Sequence, residues 1–398
     1  MSEEKNYILP KAVLVLSLCV LFLAGGCAVE TERSSGGFTD QEILAEFTIA
    51  KGGDPILLPV RFKGKEYSFI PDTGLTLTGF DTSFRQSLGK AKGTKIVLTP
   101  GGPTRVELFD APVAFLGPFN MQECGHVICA DSGMLTFVSS IEGRKISGCV
   151  GMNFLMNHVI QIDFDKGKLL FLEPTTGKRP DLGEELAIKY NPQGIPQISG
   201  NILGDIKVDF MIDTGANTTG ALDSKIFKNI LAKKQMKTSE TLFATLAGTM
   251  RRRRARMSKI SGGPFEYQNL IFAEGNGSQL GLLFLARHIV TFDFPNSKVY
   301  LKKGKEFDKV DETDMSGLHL LRISGKTVVY SVDEDSPAHK AGIRHNDIIL
   351  KVGNKDASEY DMWELRRLLM SGDKKKIVMT TKRGDNVKEV SFLLEKKI

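Results

Sequence analysis

Phe210-Met211-Ile212-Asp213-Thr214-Gly215 is an apolar run that ends abruptly in an acid, a hydroxyl and a glycine. A second version stands upstream, Tyr67-Ser68-Phe69-Ile70-Pro71-Asp72-Thr73-Gly74. Each reads as a strand that delivers a carboxylate at its tip, followed by a residue without a side chain. A carboxylate buried alone is driven towards its neutral form. Two of them brought together can share one proton, so that one is a base while the other is an acid.

The likeness between the two stretches extends well beyond them. Gly151/Gly281, Phe154/Phe284, Leu155/Leu285, His158/His288, Asp163/Asp293 and Phe164/Phe294 each lie 130 residues apart, as do Lys168 and Lys298. The two Asp-Thr-Gly motifs, and Thr78-Gly79 with Thr219-Gly220, lie 141 apart. The difference of 11 places longer loops in the first half. A repeat of this length occurring twice means two homologous lobes and not a solenoid. His158 and His288 are expected to be structural. Asp163 and Asp293 are expected in a strand or turn near the lobe edge.

With both motifs in view, residues 45 to 305 resemble the pepsin and retropepsin-like aspartic peptidases. In that family an apolar-apolar-Asp-Thr-Gly motif is followed by an apolar-apolar-Gly segment leading into Phe-Leu. Cys149-Val150-Gly151 and Gln279-Leu280-Gly281 take that second place, 79 and 68 residues after Asp72 and Asp213. The resemblance implies a mainly β chain of two homologous β-barrel lobes, over residues 45–178 and 179–306. It implies a catalytic pair, Asp72 and Asp213, and threonines, Thr73 and Thr214, whose hydroxyls lock the halves together. Gly74 and Gly215 would allow the tight turn. Flap hairpins are expected near Leu98 to Thr104 and near Ala244 to Arg251. The implied reaction activates water between two carboxyls, with no cofactor, no metal and no covalent intermediate. The copies are unequal: Pro71 precedes Asp72 on a strand that should be internal, and bulky Leu75 stands where lobe 2 has Ala216.

Residues 313–398 resemble a PDZ domain of the bacterial type, a small α+β unit. The features are Ser336-Pro337-Ala338, Ala341-Gly342-Ile343 and Asn346-Asp347-Ile348-Ile349-Leu350, with Asn346 where a glycine is usual. Ser358-Glu359-Tyr360-Asp361 has the spacing of a helix start. Met362, Leu365, Leu368 and Leu369 then form an apolar face. Final strands are expected over 376–381 and 387–394. Gly317, Leu318, His319 and Leu320 occupy the place where such domains hold a peptide carboxylate, which implies a C-terminal peptide ligand.

Residues 1–27 read as a targeting segment. Lys5 and Lys11 flank the start of an apolar run, Ala12 to Ala24, too short to span a membrane comfortably. Ala24-Gly25-Gly26-Cys27 resembles the end of a bacterial lipoprotein signal, which implies lipidation at Cys27. A plain secretory signal and an uncleaved anchor are the alternatives. Each puts the chain in the cell envelope, in the periplasm or on the outer surface, with a membrane tether through residues 28–44. The net charge of +6, from 53 basic and 47 acidic residues, gives no reason to expect nucleic acid. Arg251 to Arg254 and Arg256 could favour acidic substrates or anionic lipid, with a solvated face as the default. Cys124 and Cys129 could close a small disulfide loop or remain free buried thiols. No Cys and His pairing has zinc spacing.

Two functions of different class remain open. One is an envelope aspartic endopeptidase acting on peptide or protein substrates, its PDZ domain docking peptides or regulating the site. The other is a weak or inactive peptide-binding protein that uses the same modules for recognition. A third arrangement pairs Asp213 with Asp213 of a second chain.

Overall fold

The computed structural model describes residues 42–99, 102–130, 133–174, 181–245 and 248–398. The signal segment, Cys27 and most of the 28–44 linker lie outside the described residues, as do the tips of both expected flaps. Among the described residues no helix is long and apolar enough to cross a membrane.

Alternating apolar residues form β1 (Ile43–Thr48), β2 (Leu58–Phe62) and β3 (Lys65–Pro71). Lys63 and Gly64, with φ of 49° and 75°, turn β2 into β3, the positive-φ pair that a tight hairpin needs. Then come β4 (Gly79–Asp81), β5 (Gly93–Thr99), β6 (Gly102–Asp110), β7 (Ala114–Leu116), β8 (Phe119–Asn120) and β9 (His126–Ala130). Helix α1 (Gly133–Glu142) leads to β10 (Ile146–Val150), the single turn α2 (Met152–Leu155), β11 (Val159–Asp163) and β12 (Lys168–Leu172). The first sheet has the order β5-β6-β9-β4-β10-β3-β2-β7-β8. Fully buried β10 runs parallel to β3 and antiparallel to β4.

The second lobe begins with β13 (Glu184–Ala187), β14 (Lys189–Tyr190), β15 (Pro196–Ile202), β16 (Ile206–Ile212) and β17 (Gly220–Asp223). Next are α3 (Ser224–Lys233), β18 (Thr238–Thr245), β19 (Gly248–Gly262) and β20 (Phe265–Gly275). It ends with β21 (Gln279–Leu280), α4 (Leu282–Leu285), β22 (His288–Asp293) and β23 (Lys298–Lys303). Its sheet has the order β14-β15-β16-β21-β17-β20-β19-β18. The trio β16-β21-β17 repeats the trio β3-β10-β4, so the duplication read from the sequence is a duplication of architecture.

A third sheet, β1-β12-β11-β22-β23-β13, joins the lobes. Asp163 and Asp293 end β11 and β22, the two strands that meet at its centre. Gln161 faces Thr291 across that seam and donates to its hydroxyl at 2.9 Å. A single buried apolar cluster runs through both lobes.

The last unit contains β24 (Leu318–Ile323), β25 (Lys326–Val332), α5 (Pro337–Lys340), β26 (Ile348–Val352) and β27 (Lys355–Asp356). It closes with α6 (Met362–Leu369), β28 (Lys376–Arg383) and β29 (Asn386–Leu393). Its order is β24-β25-β26-β28-β29, with β24 at the edge. Asn346 has φ of 66°, so it fills the usual glycine place because asparagine tolerates that region. The helix start is corrected: Asp361, not Ser358, caps α6, in a capping box with Glu364. Ser358 lies in a short 3-10 turn, Ala357–Glu359.

Two further readings are settled among the described residues. Cys124 and Cys129 are free buried thiols with no disulfide between them; Cys129 Sγ donates to Asp81 O at 3.6 Å. The arginines keep part of the solvated face, with the Arg251 and Arg253 side chains 45% and 42% exposed, and are bonded as well. They stand on β19 and tie elements together: Arg252 donates to Glu274 O at 2.9 Å, Arg253 pairs with the Glu274 carboxylate at 3.1 Å, and Arg254 donates to Ser239 Oγ at 2.8 Å. Arg251 pairs with Asp333 at 3.1 Å, and Arg256 donates to Asp311 O at 2.9 Å and Ile398 O at 3.1 Å, which fastens the last unit to lobe 2.

Candidate active site

Each Asp-Thr-Gly turn leaves a strand at the point where a parallel neighbour still holds it. Asp72 follows β3 and its N–H donates to Val150 O at 2.9 Å; Asp213 follows β16 and donates to Leu280 O at 2.9 Å. The glycine N–H then bonds back to the acid: Gly74 to Asp72 Oδ1 at 2.8 Å, Gly215 to Asp213 Oδ1 at 3.0 Å. The doubt raised by Pro71 has a physical answer. Asp72 N–H points to β10, so the preceding nitrogen points to the other side, where the β2 ladder has already ended at the pair Leu58–Phe69. No ladder bond is lost there.

Thr73 and Thr214, both buried, bond reciprocally across the lobe boundary. Thr73 N–H donates to Thr214 Oγ1 at 3.1 Å, and Thr214 N–H donates to Thr73 Oγ1 at 3.0 Å. Each hydroxyl donates onward to the opposite strand, Thr73 to Ile212 O and Thr214 to Pro71 O, both at 2.7 Å. Four bonds between buried partners fix one acid turn relative to the other.

The glycines lie against the opposite acids. A Cβ placed on Gly74 would stand 3.0 Å from Asp213 Cγ, and one on Gly215 would stand 2.5 Å from Asp72 Cγ. Only a residue without a side chain leaves room for the opposite carboxyl at each of these places. Burial pushes the Asp72 carboxyl up to about 6, opposed by the Gly74 amide bond and the bond to Asp213. Burial, then the Asp72 charge, pushes Asp213 up to about 8. Both shifts run upward, and two interacting acids titrate as a pair and not as separate groups. Cys149 lies close by, and burial with the charges of both acids raises its thiol well above the usual range. It is therefore no thiolate nucleophile.

Gly151 and Gly281 press the following segment onto the acid turns. A Cβ on Gly151 would meet Leu77 C at 2.6 Å and Leu75 O at 2.8 Å; one on Gly281 would meet Thr218 O and Ala216 O. Met152 N–H donates to Leu75 O at 2.7 Å, and Leu282 N–H to Ala216 O at 2.8 Å. The Leu75 side chain packs against a buried cluster of Ile70, Ile146, Cys149 and the α1 residue Leu135. Its bulk is taken up by lobe 1's own apolar packing.

Sequence reasoning missed Asn153. It accepts from Thr78 N–H at 2.7 Å and donates to Cys124 O and His126 O at 3.0 and 2.8 Å. The repeat places Leu283 opposite it, and that polar-for-apolar exchange was the available signal. His158 bonds Glu123 at 3.0 Å, and His288 bonds the Tyr267 hydroxyl at 3.0 Å, with burial lowering its imidazole to about 4. Neither touches the acid pair in any bond described.

In the PDZ loop Gly317 N–H donates to Asp314 Oδ1 at 2.6 Å and Leu318 N–H to Ser316 Oγ at 3.0 Å. His319 Nε2 bonds Asp333 at 2.9 Å, and Leu320 O accepts from Arg366 at 3.1 Å. Cys27 lies outside the described residues.

An aspartyl protease family model matches residues 58–154 and 198–283, and a PDZ domain model matches residues 328–383. Among solved structures the chain is similar to a retropepsin-like aspartic protease from Rickettsia conorii, at 25% identity. That match covers 30% of this chain and 89% of that one, with a TM-score of 0.24. It is also similar to a photosystem II D1 C-terminal processing protease, at 18% identity over 23% of this chain and 26% of that one, TM-score 0.21. The chain thus spans about a quarter of that second protein. No curated protein matches. The chain resembles the aspartyl protease family in two segments and carries a C-terminal PDZ domain.

Proposed function

We propose that this chain is an aspartic endopeptidase of the bacterial cell envelope, with Asp72 and Asp213 as its dyad. The observation that carries the reading is how close each glycine lies to the opposite carboxyl: a Cβ added at Gly74 would stand 3.0 Å from Asp213 Cγ, and one at Gly215 would stand 2.5 Å from Asp72 Cγ. A binding protein has no need of that approach, whereas two acids that share a proton do.

In the proposed reaction a water sits between the carboxyls. The ionised acid takes a proton from it as its oxygen bonds to the scissile carbonyl carbon. The protonated acid gives its proton to the carbonyl oxygen, forming a neutral tetrahedral diol. The first acid then protonates the leaving nitrogen and the C–N bond breaks. The second acid recovers a proton from one diol hydroxyl, which restores the pair. The substrate is a peptide or protein. The envelope assignment rests on the signal-like N-terminus with lipidation at Cys27.

The test is cleavage of a mixed peptide pool between pH 4 and 8 by the wild type, Asp72→Asn and Asp213→Asn, with and without pepstatin. Loss of cleavage in both variants is expected. Cleavage that persists in either variant, or its absence from the wild type, rejects the reading. If Asp72→Asn alone stays active and dilution abolishes that activity, the pair forms between two chains.

A further inference from the structure

Lobe 1 has an insertion that its twin lacks. Fifteen residues, 131–145, separate β9 from β10, whereas three, 276–278, separate β20 from β21. The insertion carries α1, and α1 packs against β24 and α6 of the PDZ domain. Strand β24 is the free edge of its sheet. An extended peptide would be added there, beside α6.

The contacts leave that edge closed. Arg366, on α6, donates to Leu320 O on β24 at 3.1 Å and to Ile141 O at the end of α1 at 3.3 Å. Its guanidinium stacks on Trp363 at 4.5 Å, and Trp363 Nε1 donates to Glu142 at 2.9 Å. Gly143, with φ of 73°, follows the helix beside Arg322 and Met362, which a Cβ there would meet at 3.4 and 3.6 Å. Phe137 meets Tyr330 of β25 edge-on at 5.3 Å. The amides of Gly317 and Leu318, which would hold a peptide carboxylate, already bond Asp314 and Ser316. On its other face α1 places Leu135 in a buried cluster with Ile70, Ile146 and Cys149, against which Val138 and Leu75 also pack, the apolar backing of the Asp72 turn.

We infer that α1 is the resident occupant of the PDZ groove, and that the PDZ domain, through α1 and Leu75, is a brace that positions the Asp72 turn. The effect on turnover rests on the peptidase reading; the seating of α1 does not. The groove is thus filled in cis, and a foreign peptide enters it only by displacing α1 and relaxing the turn. Arg366 and Glu142 act as positioning residues.

The test uses the full chain. Arg366→Met removes both carbonyl contacts; Glu142→Ala removes the Trp363 partner from the other side and serves if the first variant does not fold. Lys351→Met, on β26, is the control. Amide hydrogen exchange over 133–142 and the fluorescence of Trp363, the single tryptophan, read the seating without any need for activity. Exchange in α1 at least tenfold faster, a shifted Trp363 emission and kcat lowered about tenfold with KM unchanged are expected, with none of these in the control. Unchanged exchange in both variants overturns the seating. Faster exchange with unchanged kcat overturns the brace. If the wild type cuts nothing, the peptidase reading fails, and exchange and emission still decide whether α1 is seated.

Discussion

Gly215→Ala is the sharpest perturbation of the acid pair, and Gly74→Ala is its internal control. Neither glycine has a positive φ, so alanine meets no backbone strain at either place. Only the new methyl group matters. At position 215 it would lie 2.5 Å from Asp72 Cγ and 2.7 and 2.8 Å from the two carboxylate oxygens. Carbon atoms pack at about 3.5–4.0 Å, so the Asp72 carboxyl must retreat by roughly 1 Å. At position 74 the nearest approach is 3.0 Å, to Asp213 Cγ and Oδ1, and a retreat of about half that suffices. A misplacement of about 1 Å lowers a positioned reaction by about 100-fold, or roughly 2.7 kcal/mol of barrier. Gly215→Ala is therefore expected to reduce kcat by about 100-fold, and Gly74→Ala by about tenfold. The assay is steady-state cleavage of a fluorogenic peptide, with thermal unfolding to show that both variants fold. Equal losses, or full activity in Gly215→Ala, would refute the reasoning that the glycines exist to bring the acids together.

Thr214→Val removes the acceptor for Thr73 N–H and the donor to Pro71 O, leaving two buried groups unmatched; urea unfolding should show a loss of about 2–5 kcal/mol. A double-mutant cycle with Thr73→Val should show strong coupling, because the two hydroxyls serve each other. Asp213 is raised above its ordinary 3.8 to about 8, so the fold favours its protonated form. Its contribution to stability is full below the lower value and is lost as pH rises through the upper one. Asp213→Asn should flatten the fall in stability over that window, as read by thermal unfolding at a series of pH values. Arg287 and Asp311 form a buried pair at 2.5 Å where lobe 2 meets the PDZ unit. Asp311→Ala leaves a buried guanidinium uncompensated and should destabilise by about 3–5 kcal/mol in urea unfolding.

Much of the site was legible because its constraints are local. A strand that must end in an acid, a hydroxyl and a glycine writes those residues in sequence, twice, and the duplicated spacing marks the lobes. The seam between lobes was less legible, since the pairing of β11 with β22 joins residues 130 positions apart. Leu75 stood out as bulky because the cluster it packs against includes Leu135, which lies in an insertion with no counterpart in lobe 2. The partners of the β19 arginines were hidden because their acceptors are backbone carbonyls and distant acids, as with Arg256 and Ile398 O. Composition carries no trace of such partners. Asp361 was passed over as the cap of α6 because Ser358 offered an equally good spacing one turn earlier, and only the backbone geometry separates them.

The most direct measurement is the titration of the Asp213 side-chain carbon by carbon-13 NMR, in the wild type and in Asp72→Asn. Two acids that share a hydrogen place the wild-type titration of Asp213 well above 3.8, and removal of the Asp72 charge must bring it down. A carboxyl that titrates at its ordinary value in both proteins, or that does not respond to loss of Asp72, would contradict the account.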